Sequence, residues 1–147
     1  MKIILLTIGK LKEKFLTDGV AEYLKRLRPF AKVEIREISE CRTVEEEGKK
    51  ILSQVPNDSW LCVLDVAGES LTSEKFAKKI SNLVLNGESD LTFVIGGAFG
   101  LSEELRRAAD FRLSLSEMTF THQMTRLILI EQIYRAFKIN RGEPYHW

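Results

Sequence analysis

Phe93 to Ser102 reads FVIGGAFGLS, an apolar run that ends in three glycines and a serine. A strand that closes this way lets another group approach its backbone, because missing side chains leave room there. The dinucleotide fingerprint G-x-G-x-x-G needs a glycine where Ile95 stands, and the phosphate loop G-x-x-x-x-G-K-[ST] needs one where Leu101 stands, so neither motif is present. Glu103 and Glu104 follow the serine in what reads as the first turn of a helix. There they complement the helix dipole and repel an anion, which points to a neutral or cationic ligand. A tight strand-to-helix turn with no ligand is the plain alternative.

Other chemistry-bearing residues gather near the end of the chain. His122 and Arg126 are four apart at the start of the last helical pattern and share a face. They can orient a substrate or hold a phosphate, or else cap the helix and brace a loop. Glu131 and Arg135 form an i, i+4 pair whose first reading is helix support. Tyr145 and His146 stand in the tail GEPYHW, where a polar aromatic pair gains little from core burial. The two histidines, 24 positions apart, make no metal site. Cys41 and Cys62 have no metal or redox spacing; Cys62 lies inside WLCVLDV and reads as a buried free thiol, which suits a reducing cytoplasm.

These groups have to be positioned by elements, and the apolar runs alternate with helical patterns along the whole chain. IILLTI (3–8) reads as a buried strand, and Val20, Leu24 and Leu27 then recur at helical spacing until Pro29 stops the pattern. VEIREI (33–38) is a half-exposed strand; Thr43 with Glu46 fits a capping box for a helix running to about Val55. A third strand covers 59–66. Thr72 or Ser73 caps the helix that carries Phe76, Ile80, Leu83 and Val84, and Asn86-Gly87 closes it. LTFVIGG (91–97) is the fourth strand, a fourth helix starts near Ser102, FRLSL (111–115) is the fifth strand, and a last helix spans roughly 123–139. This order predicts an α/β fold with a mainly parallel sheet and helices on both faces, in a single domain over 1–147.

The last helix is apolar nearly all round, through Met124, Leu127, Ile128, Leu129, Ile130, Ile133, Tyr134, Ala136 and Phe137. Helices of this kind are buried on more than one side. A second subunit against the second side gives a homodimer; a central helix wholly inside one subunit is the other arrangement. The net charge of +1 is unevenly spread, with 12 basic and 9 acidic groups in residues 1–50 but 3 and 6 in 51–100. Those sums leave open a local basic patch for a nucleic acid. MKIILLTIGK has too short an apolar run for a signal peptide, and no stretch approaches the ~20 residues of a membrane span, so a soluble cytoplasmic protein is expected.

MKIILLTIGK, LDVAGESLTSEKFA, FVIGGAFGLSEELRRAAD and LSLSEMTFTHQMTRLILIEQIYRAFKINRGEPYH together resemble the ribosomal RNA large subunit methyltransferase H family of the SPOUT superfamily, over the whole chain. The resemblance implies a homodimer, a C-terminal trefoil knot and S-adenosyl-L-methionine, an adenosine bearing a cationic sulfonium, as methyl donor. Carried onto this chain, the donor contacts fall on Leu64, Gly96 and the segment Leu115, Ser116, Glu117, Met118, Thr119 and Phe120. The reaction implied is methylation at N3 of a pseudouridine in 23S rRNA, with the assembled ribosome as substrate. The tail is implied to serve the partner's active site, which makes Tyr145 and His146 catalytic candidates, with His122, Arg126, Arg135 and Trp147 on the substrate side. Relatives usually carry Lys or Arg where Trp147 stands, so a phosphate contact there gives way to stacking on a base. The competing expectation is a ribosome-associated RNA-binding or assembly factor that keeps the fold without turnover.

Overall fold

The computed structural model describes residues 1–145. Ten elements alternate without exception: β1 (Lys2–Ile8), α1 (Lys14–Leu27), β2 (Lys32–Ile38), α2 (Val44–Gln54), β3 (Trp60–Ser70), α3 (Ser73–Leu85), β4 (Asp90–Ile95), α4 (Glu103–Ala108), β5 (Phe111–Ser114) and α5 (His122–Asn140). The strands form one sheet in the order β2-β1-β4-β3-β5, with every pairing parallel. The expected α/β architecture is therefore present, and its sheet is wholly rather than mainly parallel.

Alternate strand residues divide the core in two. Ile3, Leu5, Cys62, Leu91 and Phe93 face α1, α3 and α5, whereas Ile4, Leu6, Leu61, Val63 and Val94 face α2 and α4. Helix starts follow local hydrogen bonds: the Thr43, Thr72, Ser102 and Thr121 hydroxyls accept from the amides three residues on. Of the Thr43 capping box, that half is formed. Two extents differ from expectation. Helix α1 begins more than a turn before Val20, the first residue of the expected spacing, at Lys14, because its cap position Glu13 makes no side-chain cap bond and so leaves no sequence signal. Strand β3 runs on to Ser70 because a register shift lets Leu113 of β5 face both Leu64 and Glu69. Gly68 makes that close return possible, since a Cβ there would lie 2.6 Å from the Arg112 carbonyl oxygen.

Helix α5 lies between α1 and α3 and against the sheet. Leu129, Ile130 and Ile133 are fully buried, Tyr134 and Phe137 pack on Tyr23 and Phe30, and Asn140 donates to the Ala77 carbonyl of α3 at 3.0 Å. One side of its apolar circumference, with Leu129, Ile130, Ile133 and Ala136, is thus filled within the subunit, whereas Met124 and Ile128 stay half-buried outside both core clusters. No helix among the described residues is long and apolar enough to cross a membrane.

Candidate active site

The carboxyl ends of β4 and β5, with β3 where it parts from β4, open into a cavity of about 600 Å³, closed on the far side by the segment 115–121 and the start of α5. Sites in open α/β sheets form in this place because the connections diverge beyond the strand ends. Its floor is the glycine turn. The Gly100 amide donates to the Gly97 carbonyl at 3.1 Å, and Gly100 takes a φ of 90°, a conformation that favours glycine. At Gly96 a Cβ would lie 2.8 Å from Leu101 Cδ2 and 3.0 Å from the Gly100 oxygen. The returning chain itself therefore excludes a side chain at 96, and this keeps the strand end low beneath the cavity.

The opposite wall is held by short local bonds. Ser114 Oγ donates to the Ser116 carbonyl at 3.1 Å, the Met118 amide donates to Ser116 Oγ at 3.0 Å, and Thr121 caps α5. Leu64, Gly96, Leu115, Ser116, Met118, Thr119 and Phe120 all line the cavity, although they come from three separate parts of the chain. Glu117 is exposed and is absent from the lining. His122 lines the cavity at the first position of α5.

The remaining candidates lie elsewhere. Arg126, one turn beyond His122, has a side chain only 2% exposed; it donates to Glu37 Oε2 at 2.7 Å and to the Gly9 carbonyl at 3.2 Å, behind the cavity. Burial pushes the Glu37 carboxyl up, but the hydrogen bonds from Arg126 and the Leu11 amide, with the charges of Arg126 and Lys10, more than offset it and leave the group below the ordinary carboxylate value. Arg135 pairs with Glu131 at 2.5 Å, as the i, i+4 spacing suggested, and lies over the Tyr145 ring with 4.9 Å to its centroid.

Tyr145 does not line the cavity of its own subunit. Its hydroxyl donates to Glu131 Oε1 at 3.0 Å and lies 3.1 Å from that of Tyr23, while its ring meets Tyr134 edge-on at 4.9 Å. Burial raises the phenol above its usual value, and the bonds with Tyr23 and Glu131 raise it further, so it is neutral near pH 7. Tyr145 is not a phenolate base in this arrangement. His146 and Trp147 fall outside the described residues.

Among the lining residues that were not read from the sequence, Asp65 and Arg106 are the charged ones. The Asp65 side chain is 5% exposed; its Oδ2 lies 3.1 Å from Arg106 Nε and 3.6 Å from Arg112 Nη1, and its Oδ1 accepts from the Ala67 amide at 3.0 Å. The pairing ties β3, just past its last residue paired with β4, to α4, and with Glu103, which pairs with Arg106 at 3.0 Å, it leaves that side of the cavity close to electrical neutrality. An acidic residue closing the apolar run WLCVLD was the available signal. Among the described residues no group of three or more His, Cys, Asp or Glu is disposed to hold a metal.

With this geometry in place, likeness to known proteins bears on what the cavity holds. A family model described as "Predicted SPOUT methyltransferase" matches residues 1–146. The chain is 49% identical to the ribosomal RNA large subunit methyltransferase H of Halothermothrix orenii, across 99% of each chain. It is 48% identical to the protein of that name in Carboxydothermus hydrogenoformans and 45% identical to the one in Streptococcus mutans, with 99% of both chains covered in each case.

Proposed function

Because this chain belongs to the SPOUT methyltransferase family, we propose that it methylates large-subunit ribosomal RNA, at N3 of a pseudouridine of 23S rRNA in the assembled ribosome, with S-adenosyl-L-methionine as donor. The observation that carries this reading is the convergence of Leu64, Gly96 and five residues of 115–120 on one cavity at the strand ends. The cavity fits the donor. About 600 Å³ lies within the ~300–1,000 Å³ typical of small-molecule sites. Leu64, Ile95, Leu113 and Leu115 offer apolar packing to a flat base, and the Asp65–Arg106 pair leaves no unbalanced charge against a cation. Bound there, S-adenosyl-L-methionine would supply an electrophilic methyl group.

The protein's part is positioning and proton handling. The glycine turn and the 115–121 wall hold the donor side, and His122, which lines the cavity, is the candidate to orient the substrate base. The imide proton at N3 must leave, and His146 is the candidate to take it or to stabilise the anion. Tyr145 supports a homodimer in which each tail serves the partner's cavity. Its anchor Glu131 lies nine residues beyond His122, about 13 Å along the helix axis, so Tyr145 is held off its own cavity. The trefoil knot is proposed on the family likeness, and the strand order with β5 outside β3 is compatible with it.

Incubation of the protein with methyl-labelled donor and with ribosomes, free 23S rRNA or an unmodified transcript tests the proposal. Label is expected in the ribosomal substrate. Retained ribosome binding without incorporation would favour the assembly-factor reading instead.

Gly96→Val is expected to abolish donor binding in a chain that still folds. The added side chain overpacks the turn against Leu101 and the Gly100 carbonyl, at a cost of about 1–3 kcal/mol, and lifts the cavity floor. Calorimetric titration beside a thermal melt separates the two effects. Unaltered affinity would remove Gly96 from the site.

A further inference from the structure

Resting on the ribosomal-RNA reading above, we infer that the loop 9–13 after β1 is a rigid phosphate-binding surface for the RNA substrate, with Lys10 and Lys12 as its contacts. The loop emerges from the same sheet edge as the cavity. Ile8 ends β1 beside the glycine turn, where a Cβ at Gly97 would lie 3.2 Å from Ile8 Cγ2. On its other side the Lys12 amide donates to Gln123 Oε1 at 3.5 Å, next to the cavity residue His122. Lys10 and Lys12 are both exposed, and neither ammonium lies in an ion pair among the described residues. Lys14, by contrast, pairs with Asp18 at 2.6 Å.

Acidic groups do approach the loop: Glu13 lies within it, and Glu37 and Glu40 lie beside Gly9. Glu37 is already paired with Arg126, so two cations face two unpaired acids in a segment held open to solvent. What sets this loop apart from an ordinary solvated one is its brace. Gly9, at a φ of 80°, donates to the Ile38 carbonyl at 2.8 Å; the Leu11 amide donates to Glu37 Oε2 at 2.9 Å; Arg126 reaches the same carboxylate oxygen and the Gly9 carbonyl. A buried arginine is costly to desolvate and seldom stabilises a fold by itself. Each protein hydrogen bond of this one ends on the loop or on the β2 carboxylate that holds the loop, so it serves the loop's geometry. Arg126 is thereby a positioning residue rather than a direct substrate contact.

A loop with fixed backbone and two protruding ammonium groups at the edge of a catalytic cavity suits a polyanion, whose phosphates position the substrate without reading its sequence. Lys10→Gln with Lys12→Gln is compared with wild type for affinity to ribosomes and 23S rRNA between 0.1 and 1 M salt, for single-turnover methyl transfer, and for donor binding. Each phosphate contact is expected to contribute ~0.7 to the slope of log affinity against log salt. The double variant should therefore flatten the slope by about 1.4 and bind roughly 25-fold more weakly at 0.1 M than wild type, converging toward 1 M. Donor affinity should be unchanged, and Lys10→Arg with Lys12→Arg should behave as wild type. If wild type binds and methylates while the double glutamine variant matches it in affinity and slope, the loop assignment is overturned alone. Weaker binding at an unchanged slope overturns it too, because the loop would then touch protein. A wild-type protein that neither binds nor methylates ribosomal RNA overturns both the loop and the function on which it rests.

Discussion

Removal of Tyr145 to Trp147 is expected to lower methyl transfer by at least about 10²-fold while donor affinity stays within a few-fold. The donor-side residues Leu64, Gly96, Leu115, Ser116 and 118–120 line a cavity that Tyr145 of the same subunit does not line. Their geometry does not depend on Tyr145. The truncation removes two things at once: the Tyr145 side chain, which bonds to Glu131 and Tyr23, and whatever His146 and Trp147 contribute beyond it. Single changes sort these roles. Tyr145→Phe keeps the ring contacts with Tyr134 and Arg135 and loses the hydroxyl bonds, so it should act as a partial truncation without shifting the pH profile. His146→Ala should lower turnover by on the order of 10²-fold with little change in ribosome binding. Trp147→Ala should weaken binding by about 1–3 kcal/mol, and Trp147→Phe should restore much of it, if the indole stacks on a base. Single-turnover rates at saturating ribosomes separate binding from chemistry. Wild-type activity in the truncated protein would sink the assignment and turn attention to His122, since Arg126 is buried behind the cavity.

Ile133→Glu is expected to unfold the chain rather than merely to separate subunits. Ile133 is 0% exposed, packed within the cluster that α1, α3 and α5 form on one face of the sheet. A carboxylate there has no partner in its apolar surroundings and costs several kcal/mol, against a net stability for domains of about 5–15 kcal/mol. Circular dichroism should lose its cooperative thermal transition. Sedimentation should show loss of any dimer together with that transition. Ile133→Val, which only trims the side chain, should cost about 0.5–1.5 kcal/mol and leave association intact. A folded, monomeric Ile133→Glu would mean that this face of α5 is an interface and that the packing described above is wrong.

Much of the fold was legible because it is specified by neighbours in sequence. A threonine or serine whose hydroxyl accepts from the amide three residues on announces a helix start, and Thr43, Thr72 and Ser102 each do so. Runs such as IILLTI and TFVI have the length and β-branching of strands buried on both faces. Where the local signal was missing, the reading fell short: Glu13 makes no cap bond, and α1 was expected to start too late. The site was legible in part. The glycine turn and the 115–120 segment were picked out, the latter through family likeness, but nothing local says that they face the same cavity as Leu64.

Tertiary structure alone decided the strand order, the fate of the charges and the use of α5. Arg126 and Glu37 are 89 positions apart, and Tyr23 and Tyr145 are 122 apart. In sequence, Arg126 looks like a partner for His122 on a shared helix face; in the fold it is buried and turned toward the β1–β2 ends, and His122 alone lines the cavity. The physical reason is one of range. Periodicity, caps and turn residues act over three or four positions and are written in the sequence directly, whereas desolvation and ion pairing depend on which distant elements pack together. A side chain whose cost or benefit is set by burial acquires its role only when the sheet closes and the last helix settles between the other two.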